Sequence, residues 1–369
     1  MTQSARVIGR SLLLSTTMCF TLGFTLVAGA ASAGVPLQLP ALQTDSSQVS
    51  VSGLSSGAFM AAQYQVAYSA SVMGAGIVAG GPFYCSGSMP MAGYAMTAMT
   101  VCMKPPFGMG PDASVLLNMA RVFNSMGSID DLSNLSKQHL YVFSGKDDKT
   151  VTTTVVDQTV RFFKLAGIPA KNISYVTNVD AGHAIVTATS TDTACAVTAA
   201  PYINNCNFSQ AQAILTQIYG KLAAPATMLT GKLIQFDQNA FSTSANASMS
   251  DSAYLYVPLS CQTQSCRVHV AFHGCQQGAT VIGDQFYSGA GYNEVADTNN
   301  IVMLYPQVQE SKLSPMNPQG CWDFWGYSSP IPALPNFYTR AAPQMAAVKA
   351  MLDRLAQPRG TPLVLASGD

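Results

Sequence analysis

Charge is scarce in this 369-residue chain: Asp, Glu, Lys and Arg together make up 10% of it against 48% apolar residues, and 18 basic residues balance 18 acidic ones. Electrostatic capture of a polyanion needs a basic field that such a composition does not supply, which excludes nucleic acid as a partner and favours a neutral, apolar one. Histidine is scarcer still, with four in the chain, and tryptophan occurs twice. Paired C-x-x-C spacings are missing, which argues against a structural zinc site. No Pro/Ser/Thr-rich linker, charge run or internal repeat divides the sequence, so one domain is expected rather than two.

The first thirty-three residues read as a secretory signal. Arg6 and Arg10 form a basic start, Ser11 to Val27 an uncharged apolar run, and Ala31-Ser32-Ala33 a small-residue cleavage site before Gly34. A transmembrane anchor is the competing reading, but Ser, Thr and Gly interrupt the run and a cleavage pattern ends it. The mature protein is therefore expected to span 34–369, to be secreted or periplasmic, to carry no membrane anchor and to be a monomer. Of nine cysteines, Cys19 leaves with the signal and eight remain. An even number in an exported chain implies disulfides, although the pairing does not follow from sequence. The working assignment joins neighbours along the chain: Cys85 with Cys102, Cys195 with Cys206, Cys261 with Cys266, and Cys275 with Cys321.

Runs of β-branched and small apolar residues alternate with helical patterns along the chain. Strands are predicted over 72–80, 139–145, 173–176, 253–257, 268–272 and 301–305. Helices are predicted over 58–68, 111–123, 152–165, 208–222 and 291–299, and over 337–355 with an interruption near Pro343. The stretch 81–109 reads as a loop, and 233–241 is ambiguous. This alternation predicts an α/β fold, with a mostly parallel central sheet and helices on both faces.

One stretch organises the rest: Val49-Ser50-Val51-Ser52 leads into Gly53-Leu54-Ser55-Ser56-Gly57, and helix-forming residues follow. Gly-x-Ser-x-Gly between a strand and a helix is the pattern of a nucleophile elbow, with Ser55 exposed on a strained turn. The glycines matter because a Cβ at either place would crowd the turn. The five letters alone also make ordinary turns, so the assignment needs a base and an acid.

Four histidines make the choice of base a short one. His139 precedes its strand, at the wrong edge of the sheet. His269 lies inside a strand and is read as a core residue; it stands roughly 13 Å along that strand from His273, too far for a metal pair. His183, in a loop after a strand, has the placement a base requires. For the acid that orients it, Asp147 and Asp148 compete after the 139–145 strand, with Asp180 a weaker third. The spacing Gly145-x-x-Asp148-x-x-Val151 favours Asp148, and Ser55, Asp148, His183 is the chain order of the α/β-hydrolases. An acyl-transfer site also needs two donors for the oxyanion. The backbone amides of Ser56 and of Cys275, in His273-Gly274-Cys275, are the candidates. No cofactor and no metal is expected.

Taken together, Gly53-Leu54-Ser55-Ser56-Gly57-Ala58, Ala181-Gly182-His183, the late His273-Gly274-Cys275 with Tyr292 to Pro306, and Cys321-Trp322 resemble the polyhydroxyalkanoate depolymerases. The narrower resemblance is to the poly(3-hydroxybutyrate) depolymerases whose catalytic domain is a circularly permuted α/β-hydrolase, with the elbow near the N-terminus and the oxyanion strand near the C-terminus. It covers nearly all of the mature chain. It implies a serine esterase that hydrolyses an aliphatic polyester or hydroxyalkanoate oligomers through an acyl-enzyme. Ser55 would be nucleophile, Asp148 acid and His183 base, with the Ser56 and Cys275 amides as oxyanion donors. Trp322 would line the acyl-binding crevice, against the plainer reading that the aromatic cluster Trp322, Phe324, Trp325 and Tyr327 is packing beside a cysteine. Many extracellular relatives add a linker and a polymer-binding domain. None is read here, so attachment to solid polymer is expected to rest on exposed apolar residues near the crevice.

Overall fold

Short runs of Val, Ile, Ala and Gly, apolar on both faces, can settle only in the middle of a sheet covered on both sides, and that is where these lie. A computed structural model describes residues 37–362 apart from 243 and 332, so the expected signal segment lies outside the described residues. In chain order the elements are β1 (Val49–Leu54), α1 (Ser56–Ala67), β2 (Val72–Val78), α2 (Tyr94–Met99), α3 (Ala113–Ser125), β3 (His139–Phe143), α4 (Thr153–Leu165), β4 (Ile173–Val176), β5 (Ile185–Thr187), β6 (Thr193–Ala194), β7 (Ile203–Asn205) and α5 (Gln210–Tyr219). Then come β8 (Lys232–Asp237), β9 (Ser252–Val257), β10 (Arg267–Phe272), α6 (Ala279–Ile282), α7 (Gln285–Gly289), α8 (Tyr292–Asn299), β11 (Ile301–Tyr305) and α9 (Pro343–Ala356).

Eight strands form one sheet in the order β4-β3-β2-β1-β10-β11-β9-β8. All run parallel except β9, which is antiparallel to both of its neighbours. The sheet therefore has β1 near its centre, between β2 from the N-terminal half and β10 from the C-terminal half. The strands on the β10 side precede the elbow in an unpermuted α/β-hydrolase and follow it here, so the fold is the circularly permuted α/β form.

Alternation along β1 sorts the two faces. Ser50 and Ser52 point to one face, where their hydroxyls meet Tyr219 of α5 and Tyr292 of α8 at 2.6 and 2.7 Å. Gly74 and Gly76 of β2 lie under that same helix, and a Cβ on them would come within 3.0 Å of Ile218 and 2.6 Å of Ile214. The opposite face carries α1, whose Tyr64 ring packs 6.5 Å from Phe272 of β10. Every residue of α1 is buried, so this helix is a core element with no polar face.

Several expected boundaries shift. The C-terminal helix begins at Pro343 rather than at Phe337, because proline is favoured in the first turn, where no backbone N–H is needed. The ambiguous stretch is strand β8 and then a single 3-10 turn, Asn239–Phe241. The 81–109 loop contains α2 and is cross-linked by Cys85–Cys102. A small parallel sheet, β5-β7-β6, was not expected, since its strands are two or three residues long and carry no measurable period. All four disulfides join consecutive cysteines, as assigned.

Candidate active site

Ser55 sits between β1 and α1 with φ 56° and ψ −122°, a conformation that L-residues seldom adopt and that costs on the order of 1–3 kcal/mol. Its N–H is held by the Val78 carbonyl at 3.0 Å, and its own carbonyl accepts from Ala58 and Phe59, which starts the helix. The two glycines around it are required by space. A Cβ on Gly53 would lie 2.4 Å from Gly57, and one on Gly57 would lie 2.3 Å from the Phe272 carbonyl and 2.4 Å from that of His273. The elbow thus packs directly on the end of β10.

Asp148 follows β3 and His183 follows β4, so both leave the parallel run at its carboxyl edge, as Ser55 does from β1. Asp148 and His183 are each 5% exposed. One carboxylate oxygen of Asp148 accepts the amides of Thr150 and Val151 at 2.8 and 3.0 Å, and the other faces His183 Nδ1 at 2.7 Å. The competing carboxylates are placed otherwise. Asp147 is half-buried, and Asp180 is exposed and pairs with Lys146 at 3.0 Å.

The two loops are locked together by backbone. Lys146 N–H donates to Val179 and Asp147 N–H to Ala181, while a Cβ on Gly145 would lie 2.2 Å from the Ala181 carbonyl. On its other side the His183 loop is gripped by the segment that Cys195–Cys206 closes. Gly182 N–H donates to the Cys195 carbonyl, His183 N–H to Thr198 Oγ1, and a Cβ on Gly182 would lie 2.3 Å from the Val197 carbonyl. Thr198 carries no sequence signal for this role, because it meets His183 only across the folded loop.

Ser56 is the first residue of α1, where amides have no acceptor inside the helix. Cys275 lies in the turn after β10. The amides on either side of it are tied, Gly274 N–H to Gln277 Oε1 at 2.7 Å and Gln276 N–H to the Gln319 carbonyl at 2.8 Å. Gln277, absent from the expected site, is buried and also donates to the carbonyls of Pro201 and Tyr202. Cys275 is bonded to Cys321, and the next residue, Trp322, donates its backbone N–H to Ser56 Oγ at 3.2 Å. The Trp322 ring is fully buried against Phe272 and His273, at 4.9 and 5.7 Å between ring centres. Within the aromatic cluster Trp322 and Phe324 are buried, while Trp325 and Tyr327 are partly open.

A buried carboxylate, Asp323, organises that loop. It accepts the amides of Trp325, Gly326, Tyr327 and Ser328 and the Ser328 hydroxyl, and burial raises its pKa despite these bonds. The remaining histidines lie elsewhere. His139 opens β3 and bonds the Ile218 carbonyl. His269 is fully buried between the hydroxyls of Ser50 and Ser52, and burial lowers its pKa to about 3. A surface cleft of about 570 Å3 lined by Leu259, Ser260, Asp297 and Asn300 opens at the amino end of β11, the edge away from Ser55.

No protein-family model matches the chain. It is 42% identical over 340 residues to a poly(3-hydroxybutyrate) depolymerase of Delftia acidovorans, a match that spans 90% of this chain and 65% of that protein. It is 37% identical over 318 residues to a polyhydroxybutyrate depolymerase of Talaromyces funiculosus, covering 82% of this chain and 89% of the relative. Among solved structures, the PHB depolymerase of Penicillium funiculosum superimposes with a TM-score of 0.77 at 33% identity, over 87% of this chain and 99% of that one. A PHB depolymerase variant complexed with an R3HB trimer matches equally well. With this fold, and with relatives alike over most of its length, the chain belongs to the polyhydroxybutyrate depolymerase family.

Proposed function

We propose that the protein is an exported serine esterase that cleaves the ester bonds of poly(3-hydroxybutyrate) or its oligomers. The observation that carries this reading is the buried Asp148–His183 pair, set at the same sheet edge as a serine held at positive φ on an elbow. Neutral serine is a weak nucleophile, and such a pair supplies the base that takes its proton.

In this mechanism Ser55 Oγ attacks the ester carbonyl while His183 Nε2 receives the hydroxyl proton. Asp148 holds the opposite nitrogen and stabilises the imidazolium. The amides of Ser56 and Cys275 receive the developing oxyanion, the first of them aided by the N-terminal end of α1. His183 returns the proton to the departing alkoxide, leaving an acyl-enzyme on Ser55. Water activated by His183 then releases the hydroxyacid or oligomer. Trp322, expected to line the acyl crevice, has its ring fully buried and would support the site from below, through its packing on Phe272 and His273 and its backbone bond to Ser56.

The substrate class follows from the family and from the apolar surface. The segment after β2 exposes Met91 completely and Phe107 to 95%, apolar side chains that suit a methyl- and methylene-rich polyester better than a charged polymer. Export follows from the signal-like first thirty-three residues. Among the described residues no helix is long and apolar enough to cross a membrane.

The test is product analysis on amorphous poly(3-hydroxybutyrate) beside short nitrophenyl esters, with the wild type and Ser55→Ala. Release of 3-hydroxybutyrate or its oligomers by the wild type alone is expected. Hydrolysis by Ser55→Ala would overturn the nucleophile, and activity on the nitrophenyl esters only would replace the polyester by small esters.

A further inference from the structure

His273 follows β10 and is fully buried, yet it has no part in the proton transfers above. Its Nδ1 lies 2.7 Å from the Gly274 carbonyl, and its Nε2 lies 3.2 Å from the Val308 amide nitrogen. A carbonyl can only accept and an amide N–H can only donate. The imidazole is therefore neutral, with its proton on Nδ1 and a lone pair on Nε2. Burial lowers its pKa to about 4, which agrees with the neutral form.

The Gly274 carbonyl and the Cys275 N–H belong to one planar peptide unit, and in a trans peptide they point in opposite directions. Whatever fixes the carbonyl therefore fixes the direction of the amide. We propose that His273 is a positioning residue of the ester hydrolysis: by clamping the Gly274 carbonyl it aims the Cys275 N–H at the oxyanion. The inference rests on the reading of Cys275 as an oxyanion donor.

Without the clamp, the peptide units on either side keep their anchors at Gln277 and Gln319, but the Gly274–Cys275 unit between them gains freedom to rotate. A donor left free to rotate must be reorganised as charge develops, which removes the advantage of a preorganised site. The ring is itself well placed to hold still, packed between Phe286 and Trp322 with Val308 on its far nitrogen.

Two substitutions separate this role from a structural one. In His273→Asn, the side-chain NH2 stands the same number of bonds from the backbone as Nδ1 and keeps the donor to Gly274. In His273→Gln, the side-chain oxygen stands where Nε2 does and keeps the acceptor for Val308. Each loses one hydrogen bond, so a purely structural role would leave the two alike. On a soluble nitrophenyl ester, His273→Gln is expected to lose about 10²-fold in kcat with KM little changed, whereas His273→Asn stays within about tenfold of the wild type. Equal kcat for the two variants, or a larger loss in the Asn variant, would overturn the proposal.

A measurement on the unaltered protein guards against variants that do not fold. With only four histidines in the chain, a long-range 15N–1H spectrum resolves the ring tautomers. A proton on His273 Nε2 would overturn the proposal by itself. Ser55→Ala run in parallel separates the two levels: an active Ser55→Ala sinks the esterase reading. An inactive one beside His273 variants of equal kcat sinks only the clamp.

Discussion

His183 Nδ1 lies 2.7 Å from an oxygen of Asp148, and the other oxygen of that carboxylate is already held by the amides of Thr150 and Val151. The carboxylate is thereby fixed by its own turn before it orients the imidazole. Asp148→Asn retains the oxygen that serves the turn and presents an NH2 to His183. The ring is then driven to the wrong tautomer for accepting the Ser55 proton. A loss of about 10³- to 10⁴-fold in kcat is expected, with little change in the unfolding midpoint, by analogy with other serine hydrolase triads. Steady-state kinetics beside urea denaturation checks both halves.

The strained serine makes the second prediction. Ser55 holds φ 56°, which glycine adopts without a Cβ penalty. Relief of roughly 1–3 kcal/mol of strain outweighs the roughly 0.4–1 kcal/mol that glycine adds to the freedom of the unfolded chain. Ser55→Gly should therefore be inactive yet slightly more stable than the wild type. A lower urea midpoint would show that the serine side chain contributes more to the fold than its backbone strain costs.

Disulfides are expected to differ in importance. Cys275–Cys321 closes a separation of 46 residues and Cys261–Cys266 one of 5, so chain-entropy stabilisation is about 4 kcal/mol for the first and about 2 kcal/mol for the second. Only the first also joins the Cys275 turn to the residue beside Trp322, whose N–H bonds Ser56. Replacing both members of that pair with Ser should lower kcat as well as the melting temperature. The same change at Cys261 and Cys266 should affect stability alone.

Acid should weaken the fold through two histidines outside the proposed proton relay. Burial lowers His269 to about 3 and His273 to about 4, from an ordinary value near 6.5. Between those limits the unfolded chain binds protons that the native state refuses, so stability falls as pH falls below about 6.5. Each histidine accounts for roughly 2 kcal/mol lost by pH 5. Asp323, whose pKa burial raises, takes up its proton more readily in the folded state and opposes part of this loss. Urea midpoints measured from pH 7.5 to 5 should decline steadily; a flat profile would place these rings in less buried surroundings.

Short-range patterns made much of this molecule legible. A β-branched run before Gly53 and small residues after Gly57 mark a strand, a turn and a helix, because period and turn chemistry act over a few residues. The shortage of histidine reduced the choice of base to one loop, and the lateness of His273-Gly274-Cys275 marked the permutation. The tiny strands β5 to β7 leave no mark in the sequence, because two or three residues carry no period. The start of the last helix is blurred in the sequence because Phe337 to Ala342 is apolar enough to continue the pattern, while Pro343 suits only a first turn.

What the sequence determined by itself was the order of the chemistry along the chain: an elbow serine, an acidic pair, a histidine loop and a late His-Gly turn. Tertiary structure decided which carboxylate meets His183, that the whole Trp322 ring is buried and how the Cys275 turn is held. Asp147 and Asp148 are neighbours of identical composition. Only the amides of Thr150 and Val151 and the packing of Gly145 on Ala181 make Asp148 the inward one. The bonds that assemble this edge span 35 residues from Asp148 to His183 and 266 from Ser56 to Trp322. Local propensity fades over a few residues, so contacts at such separations exist only once the sheet has brought its strands together.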